Sequence, residues 1–329
     1  MRLVLLAVAL FIFPSAVAAQ SLGDLSTASS PFTISVNPQY PAPGSQVTLS
    51  FLSANINLAG ATMAVLVNGK NIYQGSVQPV AVTLGGAGSI TTASITMSFG
   101  GASFSQSVSI QPQDVTLVAE PVSSAPALYP GKPSIPLGGD VRIVALASLK
   151  DAVGGTKNTA SLSYSWTVDG VQIANSSGIG KQTILVASPL QYRSRAVSVS
   201  IASADGSLVG GSSISFSSTD PIVRVYESDP LLGIRFDRAL LNDFSIGGSE
   251  ATLYAAPFGF PTTGGPPLLQ WFLNGAAAQF GNLITLRPTG SGQGNASLSL
   301  IATSGDSARA TADISLSFGT AAGTNFFGL

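Results

Sequence analysis

The sequence of 329 residues contains no cysteine and no histidine. The lack of cysteine excludes disulfides and cysteine nucleophiles. The lack of histidine excludes the Ser-His-Asp triad, haem ligation through histidine and the common zinc sites. Each domain must therefore be stabilised by its hydrophobic core alone, which favours domains of roughly a hundred residues.

Charge is also scarce, because only 9% of the residues are charged while 45% are hydrophobic. An average soluble protein has about 25% charged residues. Disordered chains combine low hydrophobicity with high net charge, so this composition, with a net charge of -1, predicts a folded protein. The 14 basic residues are balanced by 15 acidic ones and form no obvious basic cluster in the sequence. We therefore expect no nucleic-acid partner.

The first twenty residues have the pattern of a secretory signal peptide. Arg2 gives a positive start, an apolar run extends from Leu3 to Phe13, and small residues precede a cleavage site after Ala18 or Ala19. A membrane anchor is the alternative, but the run is shorter than the ~20 residues that span a bilayer. We expect residues 1–19 to be removed, leaving an exported chain with no transmembrane segment, located at the cell surface or in the periplasm.

A short segment ending in Asn-Gly or Asp-Gly occurs three times in the chain. The three pairs are Asn68–Gly69, Asp169–Gly170 and Asn274–Gly275, and their glycines stand 101 and 105 positions apart. Both residue types tolerate positive φ, so each pair predicts a tight hairpin turn between two strands. The spacing predicts three repeated modules of about a hundred residues.

Strands that alternate Ile, Val, Leu or Phe with Ser or Thr flank each of these turns, and no long run has helical periodicity. The predicted fold is all-β, with three tandem Ig-like antiparallel sandwiches after the signal peptide. The predicted boundaries are a flexible lead-in at 20–30, modules at 31–118, 119–219 and 220–318, and a C-terminal tail at 319–329.

The segment Tyr164–Gly170, followed by paired serine-rich strands, resembles the PKD/Ig-like modules of bacterial extracellular proteins. The resemblance implies that Trp166, and Trp271 in the next module, lie on core strands before the hairpin turn. The first module departs from it, with Ala64–Val65 where the tryptophan would stand. Such modules serve as spacers, adhesins and assembly parts, so the resemblance concerns the fold. Exposed tryptophans that grip sugars or proteins are the alternative.

Carboxylates are the only plausible catalytic groups, and six lie close together in the sequence: Asp220, Glu227, Asp229, Asp237, Asp243 and Glu250. A carboxylate pair could serve a glycosidase. Because Arg224, Arg235 and Arg238 lie among them, we favour surface ion pairing at a module junction. A calcium site made by Asp220, Glu227 and Asp229 is a weaker hypothesis, since no calcium-loop spacing is present. No other cofactor is expected.

Two further segments stand out. The charged stretch after residue 222 is predicted to be the first strand of the third module with a connecting loop reaching Ala239, or else a functional surface loop. The tail carries Phe326 and Phe327, which could dock on a partner by strand addition or pocket insertion, or belong to a frayed end.

The hypothesis from the sequence is an exported, non-enzymatic spacer or adhesion-type protein of the bacterial envelope or surface. Its partners would be proteins, with glycans as the alternative. The alternatives are a periplasmic accessory of a pilus or secretion assembly and, from a different class, a carbohydrate-binding or carbohydrate-active protein.

Overall fold

In the computed structural model, residues 32–53, 57–127, 129–289, 293–305 and 308–319 are described. They form strands and three single-turn 3₁₀ helices, Leu58–Gly60, Thr159–Ser161 and Ala174–Ser176. The strands build three two-sheet sandwiches, which confirms the predicted all-β, Ig-like class. Within these ranges no helix is long and apolar enough to cross a membrane.

The first sandwich packs a three-stranded sheet on a four-stranded one. Its strands are β1 (Thr33–Asn37), β2 (Gln46–Leu52), β3 (Thr62–Val67), β4 (Lys70–Ser76), β5 (Val80–Thr83), β6 (Thr91–Phe99) and β7 (Ala102–Ile110). The sheet orders are β1-β2-β5 and β4-β3-β6-β7. Alternate residues point inward, so Leu49, Val65 and Ile95 are fully buried between the sheets.

The second sandwich repeats this order. Its strands are β8 (Asp114–Pro121), β9 (Asp140–Ser148), β10 (Ser163–Val168), β11 (Val171–Gln172), β12 (Gly178–Ile179), β13 (Thr183–Ala187), β14 (Ser194–Ala202) and β15 (Val209–Ser217). The sheets are β13-β9-β8 and β11-β10-β14-β15, with β12 beside β10.

Two details correct the boundary placed at 118/119. The β8 strand begins at Asp114 and pairs with β9, so its first residues belong to the second sandwich. The chain also divides into two compact units. Residues up to Gln113 form one unit together with Lys150–Gly155, and the remainder of the chain forms the other. The second module is thus not the uninterrupted range that the repeat spacing predicted.

The third sandwich carries additional strands. It comprises β16 (Ile222–Asp229), β17 (Gly233–Leu240), β18 (Asp243–Ile246), β19 (Ala251–Phe258), β20 (Leu268–Leu273), β21 (Ala276–Phe280), β22 (Leu283–Leu286), β23 (Gly294–Ser304) and β24 (Ala308–Phe318). The sheets are β17-β16-β19-β22 and β18-β24-β23-β20-β21, and β18 runs parallel to β24. The predicted connecting loop to Ala239 was therefore wrong, because most of it is the strand β17, which pairs with β16 in a hairpin.

Candidate functional site

The three Asx-Gly pairs occupy equivalent hairpin turns. Their φ angles are positive at both positions: 49° and 81° at Asn68–Gly69, 49° and 82° at Asp169–Gly170, and 51° and 79° at Asn274–Gly275. In each turn the Asx Oδ1 accepts a hydrogen bond of 2.9 Å from a backbone N–H of the neighbouring strand, at Thr92, Ala196 and Ser297 respectively. Each turn is thus tied to the adjacent strand of its own sheet.

Both tryptophans lie in the cores. Trp166 and Trp271 are 0% exposed, and each indole Nε1 donates to a backbone carbonyl, at Lys181 (2.8 Å) and Gly281 (2.9 Å). Val65 takes the equivalent place on β3 of the first sandwich and is also fully buried. Neither indole is therefore accessible for binding a sugar or a protein.

Three of the six candidate carboxylates have side-chain partners. Asp237 pairs with Arg235 at 3.1 Å, and Glu250 pairs with Arg287 at 2.7 Å. Asp220 accepts a hydrogen bond of 3.0 Å from the side-chain amide of Gln191. The ion pairing predicted for this region is thus present at Asp237, while the cation beside Glu250 is one that the sequence analysis did not name.

The structure does not bring the calcium candidates together. Asp220 precedes β16 and Asp229 ends it, so an eight-residue strand, about 26 Å long, separates them. Asp229 Oδ1 instead accepts the backbone N–H groups of Leu231 at 2.7 Å and Leu232 at 2.9 Å, and these hydrogen bonds lower the pKa of Asp229. Among the described residues, no group of three acidic side chains is arranged to hold a metal ion.

A segment that the sequence analysis did not single out joins the second and third sandwiches. We call it the strap; it comprises residues 122–136, between β8 and β9, of which 128 lies outside the described residues. Ser124 N–H donates to the Phe260 carbonyl at 2.8 Å, Phe260 N–H donates to Ser124 Oγ at 3.1 Å, and Gly259 N–H donates to the Ser124 carbonyl at 2.9 Å. Phe260 itself is fully buried in the third core.

Close backbone approach reinforces this junction. A Cβ on Gly139 would lie 2.7 Å from Pro136 Cγ and 2.8 Å from Pro261 Cβ, closer than real Cβ contacts allow. Thr263 Oγ1 adds a hydrogen bond of 2.9 Å to Asp140 Oδ2. Because the partners are more than a hundred residues apart along the chain, no local sequence pattern reveals the junction.

The outer face of the β17-β16-β19-β22 sheet carries an aromatic cluster. Four residues of β17, at 235–238, bulge opposite the single residue Glu227, and they place Phe236 over Tyr226 and Tyr254. The ring centroids lie 5.1 and 6.0 Å apart with interplanar angles of 68° and 88°, which is edge-to-face packing. Burial raises the pKa of Tyr226. The rings thus pack against each other and do not share one plane.

The strap also reaches this outer face. The ring of Tyr129 packs edge-on against that of Phe258, with the ring centroids 5.5 Å apart. Phe258 lies on β19, the strand that carries Tyr254. No local pattern predicts this contact, although Phe236 and the three arginines lie in the charged stretch that follows residue 222. The tail candidates Phe326 and Phe327 lie outside the described residues.

Comparison with known proteins identifies no family. No family profile matches the sequence, and no curated protein is significantly similar to it. Several solved structures that align with it are tandem arrays. A central fibronectin-III array of RIM-binding protein covers 89% of this chain and 97% of its own, with 10% identity and a TM-score of 0.29.

Two further arrays align comparably. The three N-terminal domains of the bacteriophage RB49 highly immunogenic outer capsid protein cover 89% of this chain and 100% of their own, with 12% identity and a TM-score of 0.24. Fibronectin(III)-like modules of Clostridium thermocellum CbhA cover 63% of this chain and 94% of theirs, with 14% identity and a TM-score of 0.22. The assignment of the fold therefore rests on the strand order and pairing described above.

Proposed function

We propose that this protein is an exported, non-enzymatic array of β-sandwiches that acts as a spacer or binding component of the bacterial cell envelope or surface. The observation that carries the proposal is the junction between the second and third sandwiches. A spacer must hold its modules in a defined arrangement, and here strap and sandwich exchange backbone hydrogen bonds around the buried residues Ser124 and Phe260.

The junction resembles a small protein core more than a flexible linker. Ser124 is 9% exposed, Gly139 leaves no room for a side chain, and the Ser123–Pro261 bridge pairs strap and sandwich as strands do. Ordered contacts of this kind cost conformational entropy, so they favour a function that depends on fixed geometry. A freely jointed string of modules would need none of them.

The carbohydrate alternative has less support. A sugar platform needs aromatic rings that offer their faces to the ligand, whereas Trp166 and Trp271 are fully buried and the exposed ring of Phe236 stands nearly perpendicular to that of Tyr254. Asp237 and Glu250 are each paired with an arginine, as expected of surface ion pairs.

The proposal is tested by protease shaving of intact cells, with mass spectrometry of the released peptides and an opened-envelope control. Release of peptides from all three sandwiches by intact cells supports a surface spacer or adhesin. Protection until the outer barrier is opened supports the periplasmic alternative, an accessory of a pilus or secretion assembly. Recovery of the protein only from the cytosol, with residues 1–19 still attached, would overturn export and with it the proposed function.

A further inference from the structure

The tip of the β16–β17 hairpin presents two rigidly held, exposed leucines. Leu231 is 94% exposed and Leu232 is 71% exposed. Their backbone N–H groups are both bound by Asp229 Oδ1, at 2.7 and 2.9 Å, and Pro230 restricts the backbone between them and the strand. An apolar tip that is already ordered loses little entropy when it binds, as expected of a docking surface.

The strand register places this tip at the end of the third sandwich from which the chain leaves β24. Phe318, the last residue of β24, pairs with Ile246, and only residues 247–250 separate Ile246 from the start of β19. The hairpin tip extends toward the same end, since Glu227 of β16 pairs with Leu253 near the start of β19. With strands about 5 Å apart and sheets about 10 Å apart, the tip lies roughly 20 Å from Phe318.

The segment that follows β24 has the length and composition to cover the tip. Residues 320–329 read TAAGTNFFGL, without a charged side chain and with two adjacent phenylalanines. Eight residues lead from Phe318 to Phe326, and a chain of that length spans up to ~26 Å. On the outer face of the same sheet, Phe236 in the β17 bulge is 47% exposed and extends the apolar surface.

We propose that Phe326 and Phe327 bind in cis to the apolar surface formed by Leu231, Leu232 and Phe236. The tether favours the chain's own tail over any other occupant, because a short linker gives an effective concentration on the order of millimolar. Docking would remove the most exposed leucine of the third sandwich from water. This inference does not depend on where the protein is located.

The absence of cysteine permits a direct test in the full chain. The double variant Leu232→Cys/Phe326→Cys is expected to form an intramolecular disulfide in a glutathione buffer at least about ten-fold faster than a matched control, as the effective concentration requires. The control is Leu190→Cys/Phe326→Cys, because Leu190 is an equally open leucine, 77% exposed, in the second sandwich. Mass spectrometry of tryptic peptides identifies the bond.

Equal rates in the two variants would overturn the proposal. Disulfide-linked dimers as the main product at micromolar protein would also overturn it, by assigning the surface to a second copy. A second measurement needs no cysteine. In the variant Phe326→Ser/Phe327→Ser, methyl NMR signals of Leu231 and Leu232 are expected to shift, while those of Leu190 stay unchanged. Superimposable leucine spectra would mean that the tail does not touch the tip.

Discussion

Removal of one hydroxyl at the junction tests whether the second and third sandwiches are energetically coupled. Ser124→Ala removes the acceptor of the Phe260 N–H, a hydrogen bond of 3.1 Å at a buried position. Leaving a buried donor without a partner costs about 1–3 kcal/mol. The cost falls on the docking of the two sandwiches, because the cores around Trp166 and Trp271 are untouched.

The two tryptophans report the two sandwiches separately. In a Trp166→Phe background the remaining fluorescence follows the third sandwich, and in a Trp271→Phe background it follows the second. The sandwich that unfolds first in urea breaks the junction as it does so. Ser124→Ala is therefore expected to lower the midpoint of the earlier transition by about 1 M, given a urea dependence of ~1–3 kcal/mol/M. The later transition, with the junction already broken, is expected to stay in place.

Ser188 provides the matched control. It is the same residue type in the same sandwich and is also 9% exposed, but its Oγ has no hydrogen-bond partner in the described part of the chain. Because Ser188→Ala removes a hydroxyl that makes no hydrogen bond, it is expected to lower neither midpoint. The reasoning is refuted if Ser188→Ala has the same effect as Ser124→Ala, or if Ser124→Ala moves both transitions equally or not at all.

Three further predictions concern single sandwiches. Trp166→Ala is expected to destabilise the second sandwich by ~3–5 kcal/mol in urea unfolding, through the cavity left in its core; a loss below 1 kcal/mol would contradict core packing. Asn274→Ala is expected to lower the free energy of unfolding by about 2 kcal/mol, because it removes the Oδ1 hydrogen bond and places alanine at a left-handed φ of 51°. Asn274→Asp keeps the acceptor oxygen and tolerates this φ, so it should cost far less. Hydrogen bonds from Ser203 and Ser207 lower the pKa of Asp205 from 3.8 to about 2 in the folded state. Between these two values the unfolded state binds more protons than the folded state. The contribution of ionised Asp205 to the stability of the fold is therefore lost as pH falls from about 4 to about 2. Thermal melts of Asp205→Asn over that range should therefore fall less steeply than those of the wild type, and parallel slopes would refute the assignment.

Much of each sandwich could be predicted locally. Alternation of apolar and hydroxyl side chains reports which face of a strand is buried, and this is why alternating strands were predicted on both sides of each Asx-Gly turn. The Asx-Gly pairs were recognisable because few residues accept positive φ at both turn positions, a property of the backbone itself. The absence of histidine and cysteine excluded whole classes of chemistry without reference to any fold.

The third sandwich contains the features that local sequence patterns failed to predict. The charged stretch after residue 222 was predicted to end in a connecting loop reaching Ala239, yet residues on either side of 235–238 pair with β16. A bulge explains both facts, since residues 235–238 leave the ladder and only their neighbours stay paired. Likewise, carboxylates that are close in sequence, Asp220 and Asp229, were candidates for one site, and an extended strand between them carries them apart.

The sequence by itself determined the class of this protein: an all-β chain in modules near a hundred residues, with tight turns at Asn68, Asp169 and Asn274 and no cysteine or histidine chemistry. The tertiary structure alone decided that β8 belongs to the second sandwich. It also decided that Ser124 forms hydrogen bonds with Phe260, which lies 136 residues further along the chain. Local backbone preferences and burial periodicity depend on residues that are neighbours in the sequence, so they can be predicted from it. Contacts between distant segments exist only once the chain has folded and brought them together.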